Sequence, residues 1–166
     1  MTNDFLSTVA SVAIVVAAVC LTRVSVVAVS SFSHHSAEKV IAFLKRYHNA
    51  TGVVVRKTRS SMSNSTLLFL ERNILGADNT VHHAQSHRRF EFPNGSVLAY
   101  GGMQGEEQRE QLRSIGQDGA VDIAWMEEAN KFEEDDFNEL LARLRGRAAP
   151  WRQIILATTP DASGHW

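Results

Sequence analysis

The chain has 166 residues, 44% of them hydrophobic and 21% charged, a size and balance that suit one globular domain with a sizeable core. Its formal net charge of −1 excludes a broad basic surface for nucleic acid but leaves room for a local basic patch. The single cysteine, Cys20, excludes an internal disulfide and fits a reducing compartment.

The chain opens on an apolar run, STVASVAIVVAAVCLTRVSVVAV, long enough to suggest a membrane span. Arg23 interrupts it, and the start MTND carries an acid where a signal peptide carries bases. Its Ala/Val richness also suits a buried strand preceded by extra apolar sequence. The expected organisation is an apolar segment over 1–23 and one domain over 24–166. The more distant reading is a membrane anchor over 8–29.

Residues 24–29 read as a buried strand. Over 34–46 the apolar positions Ala37, Val40, Ile41 and Leu44 repeat at helical spacing. TGVVVRK, residues 51–57, is a short β-branched strand, and Ser63 or Asn64 can cap a helix reaching about Leu75. HRRFEFPNGSVLAYGG predicts two strands joined at Asn94-Gly95, and a helix follows over about 104–115. VDIAWM, residues 121–126, is another buried strand.

In the next helix Glu133, Glu134, Asp135 and Asp136 crowd the first turn, Arg143 and Arg145 the last, and Gly146 follows. Phe137, Leu140, Leu141 and Leu144 form its buried stripe. RQIILAT closes the pattern as a strand. Strands alternating with helices imply an α/β layered fold with a mostly parallel central sheet, helices on both faces and a β-hairpin. Such sheets bind ligands at the carboxyl ends of their strands.

Three strand ends carry chemistry. VDIAWMEEAN delivers Glu127 and Glu128 after a buried run. In a nucleotide hydrolase the first acid would hold Mg²⁺ and the second would polarise the attacking water. The same pair also reads as the solvated start of the next helix. ILATTPDASGHW ends a strand in Thr158 and Thr159, hydroxyls that suit either a phosphate sensor or an ordinary turn. VVVRKTRSSMSNS places Arg56, Lys57 and Arg59 at a strand end, as phosphate contacts or as a solvated basic end. The histidine pairs His34-His35 and His82-His83 lack acids at metal-ligand spacing, so no zinc site is inferred; His82, His83 and His87 read as a polar loop rather than a cation site.

Taken in order, HHSAEKVIAFL, GVVVRKTRSSMSNS, FPNGSVLAYGGMQGEEQREQLRSI, VDIAWMEEANKFEEDDFNELLARLR and QIILATTPDASGHW resemble the ATPase domain of tailed-phage terminase large subunits, over about 34–166. The resemblance implies a P-loop NTPase-like fold and a motor that couples ATP hydrolysis to translocation of double-stranded DNA into a procapsid. It implies ATP and Mg²⁺ as cofactors. As partners it implies double-stranded DNA, a terminase small subunit, a portal protein and a homo-oligomeric ring, with no membrane. The setting would be the cytoplasm of an infected or lysogenic bacterial host, without secretion.

Residue by residue, Glu127 would serve Mg²⁺ and Glu128 would orient water. Thr158 and Thr159 fall on the coupling motif, and Arg56 on a phosphate-contacting arginine. The family's glycine-rich Walker A loop falls on Ser30, Ser31, Phe32 and Ser33, with Ser33 at the Mg²⁺-ligating hydroxyl and Phe32 at the lysine. Val26, Val27, Val29 and Ser31 take glycine positions. A phosphate loop works because glycines let backbone N–H groups wrap the phosphates while lysine neutralises them. The expected consequence is impaired turnover, and the alternative is an inactive remnant or a DNA- or protein-binding module on the same fold. The abrupt start near His34 and the missing nuclease domain lead to the expectation of a gene fragment with a shifted reading frame upstream.

Overall fold

The computed structural model of the chain describes residues 24–30, 33–76, 78–115 and 119–158. The expected segment 1–23, together with Ser31, Phe32 and Thr159, lies outside them. Five parallel strands form the body of the sheet: β1 (Val24–Ser30), β2 (Thr51–Arg56), β5 (Val97–Gly102), β6 (Ile123–Glu127) and β7 (Arg152–Thr158). Two short antiparallel strands, β3 (His82–Ala84) and β4 (Arg89–Glu91), extend it beyond β5. The order is β1-β7-β6-β2-β5-β4-β3.

Parallel neighbours force the chain to cross back over a face of the sheet between strands, and these crossovers are the helices. α1 (Ser33–Arg46), α2 (Arg59–Asn64) and α3 (Thr66–Phe69) cover one face. There α1 buries Ala37, Val40, Ile41 and Leu44, the predicted stripe, against Val54, Trp125 and Ile155. α4 (Glu106–Arg113) and α5 (Glu134–Arg143) cover the other, where Leu112 and Leu140 pack on Val53, Val55, Met126 and Ile154. Coverage on both sides is why β6 is buried at every position and reads as an unbroken apolar run. Residues 24–29, part of the proposed membrane span, are a strand paired with β7. Among the described residues no helix is long and apolar enough to cross a membrane.

The Asn94-Gly95 turn links β4 to β5 as predicted, with Gly95 at φ +82°, a conformation glycine adopts freely. It also closes the end of α1. The Asn94 Nδ2 donates to the carbonyls of Leu44 (2.7 Å), Lys45 (3.2 Å) and Tyr47 (3.2 Å). The Ser96 hydroxyl donates to Tyr47 O (2.6 Å) and accepts from Ala50 N–H (3.0 Å). Helix ends leave four carbonyls without intrahelical partners, so a turn that supplies donors there fixes both elements.

Several local expectations are corrected. The helix expected to start at Ser63 or Asn64 begins instead at Arg59, is broken at Ser65 (φ −131°, ψ −68°) and ends in a π-helical turn over Leu70–Ile74. Capping propensity alone did not see that Met62 is buried in the core and so lies inside a helix. The last predicted helix stops at Arg143, leaving Arg145 beyond it, and Arg143 turns inward. There it donates to the carbonyls of Gly119 (3.4 Å) and Ile115 (3.3 Å), and burial lowers its pKa.

His82 and His83, expected in a polar loop, begin β3. The His83 ring stacks on Phe90 at 4.2 Å. Its Nδ1 donates to Glu71 (2.5 Å), and its Nε2 then accepts from the Tyr100 hydroxyl (2.9 Å). Aromatic stacking across the β3–β4 pair outweighed the polarity that suggested a loop.

Candidate functional site

Register places the candidate residues along one edge. Ser30 pairs with Thr158, Ala157 with Glu127, Met126 with Val55, and Arg56 with Gly102. Ser30, Thr158, Glu127 and Arg56 therefore all lie at the carboxyl edge of adjacent parallel strands. Ser33 opens α1 at the same edge. This is where an α/β sheet holds ligands.

The two adjacent acids have different surroundings. Glu127 is buried, 8% exposed, and accepts a hydrogen bond from the Thr66 hydroxyl at the start of α3. Glu128 leaves the strand in the left-handed conformation (φ +57°, ψ +50°), which costs a non-glycine residue roughly 1–2 kcal/mol. That geometry turns its carboxylate toward β2. Arg56 grips it with two parallel bonds, Nε to Oε2 at 3.0 Å and Nη2 to Oε1 at 2.5 Å. Fork-to-fork pairing of this kind is the strongest arginine–carboxylate arrangement. Lys131 adds a contact at 2.9 Å, and Arg56 also donates to the Ser65 hydroxyl.

The Arg56 guanidinium, against the opposing effect of partial burial and with help from Lys131, holds the Glu128 carboxyl down to about 2, from an ordinary 4.5. Stabilisation from a carboxylate with a depressed pKa is complete above its unfolded value and is lost as pH falls through the folded one. Wild type and Glu128→Gln should thus share one pH dependence of urea midpoint above 4.5, with wild type falling more steeply between 4.5 and about 2. Parallel declines in that window would remove the pair from the acid response.

A third carboxylate organises the supports of this edge. Asp136, in the first turn of α5, is fully buried. It accepts from Lys57 Nζ (2.8 Å), Arg109 Nη2 (2.7 Å) and the Glu133 N–H (3.1 Å). It thereby ties the residue after Arg56 to α4 and to the start of α5. The sequence reading assigned Asp136 only to the helix dipole. It also missed Thr66 and Lys131. The Glu128–Lys131 spacing of three residues was the one signal available for either.

Glu127 suits Mg²⁺, which is commonly held by one or two carboxylates together with substrate phosphates. The second carboxylate, Glu128, is occupied by Arg56. Among the described residues no group of three or more His, Cys, Asp or Glu side chains could hold a metal. At the positions that the resemblance gives to the Walker A loop, the sequence has no glycine and no lysine.

A mostly parallel sheet flanked by helices on both faces is a P-loop NTPase-like fold. The family described as phage terminase large subunit matches residues 22–166, and the chain belongs to that family. The match begins upstream of His34 and so includes β1. The PBSX phage terminase large subunit of Bacillus subtilis (strain 168) is 27% identical over 139 residues, covering 82% of this chain and 30% of that protein.

The fold is similar to that of the large terminase from a thermophilic bacteriophage, with a TM-score of 0.67 at 14% identity, over 87% of this chain and 35% of that one. The same phage terminase in complex with ADP matches with a TM-score of 0.57 at 13% identity, over 83% and 34%. The chain thus spans about a third of the length of these relatives.

Proposed function

We propose that the chain is the ATPase domain of a viral DNA-packaging terminase large subunit, whose family role is to couple ATP hydrolysis to translocation of double-stranded DNA into a procapsid. The observation that carries this reading is the family match across both sides of the sheet edge, with Glu127, Glu128, Arg56 and Thr158 brought together there. In it Glu127 holds Mg²⁺, with the Ser33 hydroxyl as the family's second ligand, and Glu128 orients water. Ser30, Ser31, Phe32 and Ser33 occupy the nucleotide loop, and Thr158 and Thr159 link the site to domain movement. The small subunit, the portal protein and neighbouring copies in a ring are its partners, in the cytoplasm of an infected or lysogenic host. The ADP complex of the thermophilic phage terminase supports nucleotide as the ligand of this class.

Turnover by this chain itself is expected to be impaired. β1 ends at Ser30 and α1 begins at Ser33, so only two residues join them. A GxxxxGK[ST] loop spends most of its length between strand and helix, wrapping the phosphates with backbone N–H groups. The sequence over 26–33 supplies neither the glycines for that wrap nor the lysine for the charge. Glu128 is moreover paired with Arg56. These features favour, as a second reading, an inactive module that keeps the fold.

Purified chain is expected to show Mg²⁺-dependent ATP hydrolysis at or near background, unchanged by Glu128→Gln. Hydrolysis in wild type that Glu128→Gln abolishes would overturn the impairment. Mg²⁺-dependent ATP binding without turnover would favour the ATPase-domain reading over the inactive module, and no binding would favour the module.

A further inference from the structure

On the face of the sheet that carries α4, a cleft of about 590 Å³ opens between that helix and the β4–β5 pair. Its lining takes in Val97, Ala99 and Gly102, so it follows β5 from its first residue to its last. A strand of that length reaches about 17 Å, which suits an extended chain segment better than one small anion.

The two walls differ. α4 contributes Gln108 and Gln111, three residues apart and so on one side of the helix. The opposite wall, β4 and the turn before it, is basic, with His87, Arg88 and Arg89. No Asp or Glu stands among the described lining residues. Just outside, Glu91 pairs with Arg89 (2.6 Å) and Glu107 accepts from the Gln111 amide (3.4 Å).

The fold serves two of these wall side chains poorly. Arg88 holds the left-handed conformation (φ +51°, ψ +48°), which disfavours a residue with a Cβ. Its guanidinium forms no ion pair among the described residues and donates to the neutral Gln111 side-chain carbonyl. Gln108 has its Oε1 buried and, among the described residues, without a hydrogen-bond partner. A buried acceptor left unpaired costs stability, and strained residues gather at ligand sites.

A ligand that satisfies both brings an anion for Arg88 and N–H donors for Gln108 and for the Gln111 carbonyl that Arg88 releases. A nucleic-acid backbone brings acceptors alone. An extended peptide bearing Asp or Glu brings both, since each non-proline residue carries a main-chain N–H. Guanidinium pairs more strongly with a carboxylate than with an amide, so such a side chain draws Arg88 away from Gln111.

We propose that this cleft binds an extended acidic segment of a partner protein, with a carboxylate on Arg88 and main-chain N–H groups on Gln108 and Gln111. The site lies on β4, β5 and α4, apart from Glu127 and Glu128 at the end of β6, and does not rest on the ATPase-domain reading.

The test is binding of a short fluorescein-labelled peptide of alternating Glu and Ser to the full chain, read by anisotropy. Arg88→Gln is expected to weaken binding about tenfold, the loss of one charge-assisted pair. Gln108→Leu should weaken it about threefold, the loss of one neutral hydrogen bond. Arg88→Lys keeps the charge without the fork and should recover part of the binding, at a urea midpoint equal to that of Arg88→Gln. Arg147→Gln, exposed and outside the cleft, is the charge-matched control and should change affinity less than about twofold.

Absence of peptide binding by wild type would overturn the proposal, as would equal losses in Arg88→Gln and Arg147→Gln. Equal affinity for a neutral peptide of alternating Gln and Ser would overturn it too, by removing the carboxylate from recognition. Displacement of the acidic peptide by short duplex DNA or by inorganic phosphate as readily as by unlabelled peptide would do the same, and would make the cleft a general anion site.

Discussion

Asp136→Ala is expected to lower unfolding stability by about 3 kcal/mol, measured by urea denaturation. Removing one partner of a buried ion pair typically costs about 3–5 kcal/mol, because the remaining charge is left desolvated. The low end applies here, since the side chains of Lys57 and Arg109 keep 25% and 26% exposure and can recover some water. The loss has two parts. One is the pair of stranded cations, and the other is the α5 cap, where Asp136 accepts the Glu133 N–H, a contact worth about 1 kcal/mol in general. In a Lys57→Met, Arg109→Met background the same substitution should cost only the cap. Equal costs in both backgrounds would show that the cations contribute nothing. The hub holds Lys57 next to Arg56, so its loss should also loosen the grip on Glu128.

Asp122→Ala is expected to cost nearly as much, about 2–4 kcal/mol, for a different reason. Asp122 precedes β6, is 3% exposed and accepts one backbone N–H on each oxygen, from Thr51 and from Ala148. It joins the start of β2 to the loop after α5. Alanine leaves the buried Thr51 N–H without a partner, at about 1–3 kcal/mol, and the part-buried Ala148 N–H at about 1 kcal/mol. Asparagine keeps one acceptor oxygen, so Asp122→Asn should lose about half as much in the same urea measurement. Equal losses for the two variants would point to packing instead. The loop approaches so closely that a Cβ on Gly146 would collide with the Asp122 carboxylate, which explains a glycine there without any need for a positive φ.

The elements that the sequence specified well are those whose signals are local. The α1 stripe, the β2 run, the Asn94-Gly95 turn and the last strand each combine periodicity with turn chemistry inside a short window. The failures have a common cause. Ser63 and Asn64 looked like caps because capping preference ignores burial, and the tertiary demand to bury Met62 extended the helix through them. His83 looked like a loop residue because its partners Glu71, Phe90 and Tyr100 come from three different elements. Arg143 looked like a dipole complement, but the carbonyls of Ile115 and Gly119 draw it inward.

The candidate site divides in the same way. Its acids were legible because two carboxylates after a buried run are conspicuous. By itself, then, the sequence determined the alternation of strands and helices and the residue types delivered to each strand end. Only the tertiary structure decided what that chemistry touches. The Arg56–Glu128, Thr66–Glu127 and Lys57–Asp136 contacts join residues 72, 61 and 79 positions apart. Those separations close only because the crossovers place β6 beside β2 and α5 under its end, and strand order leaves no periodicity in a chain for a reader to find.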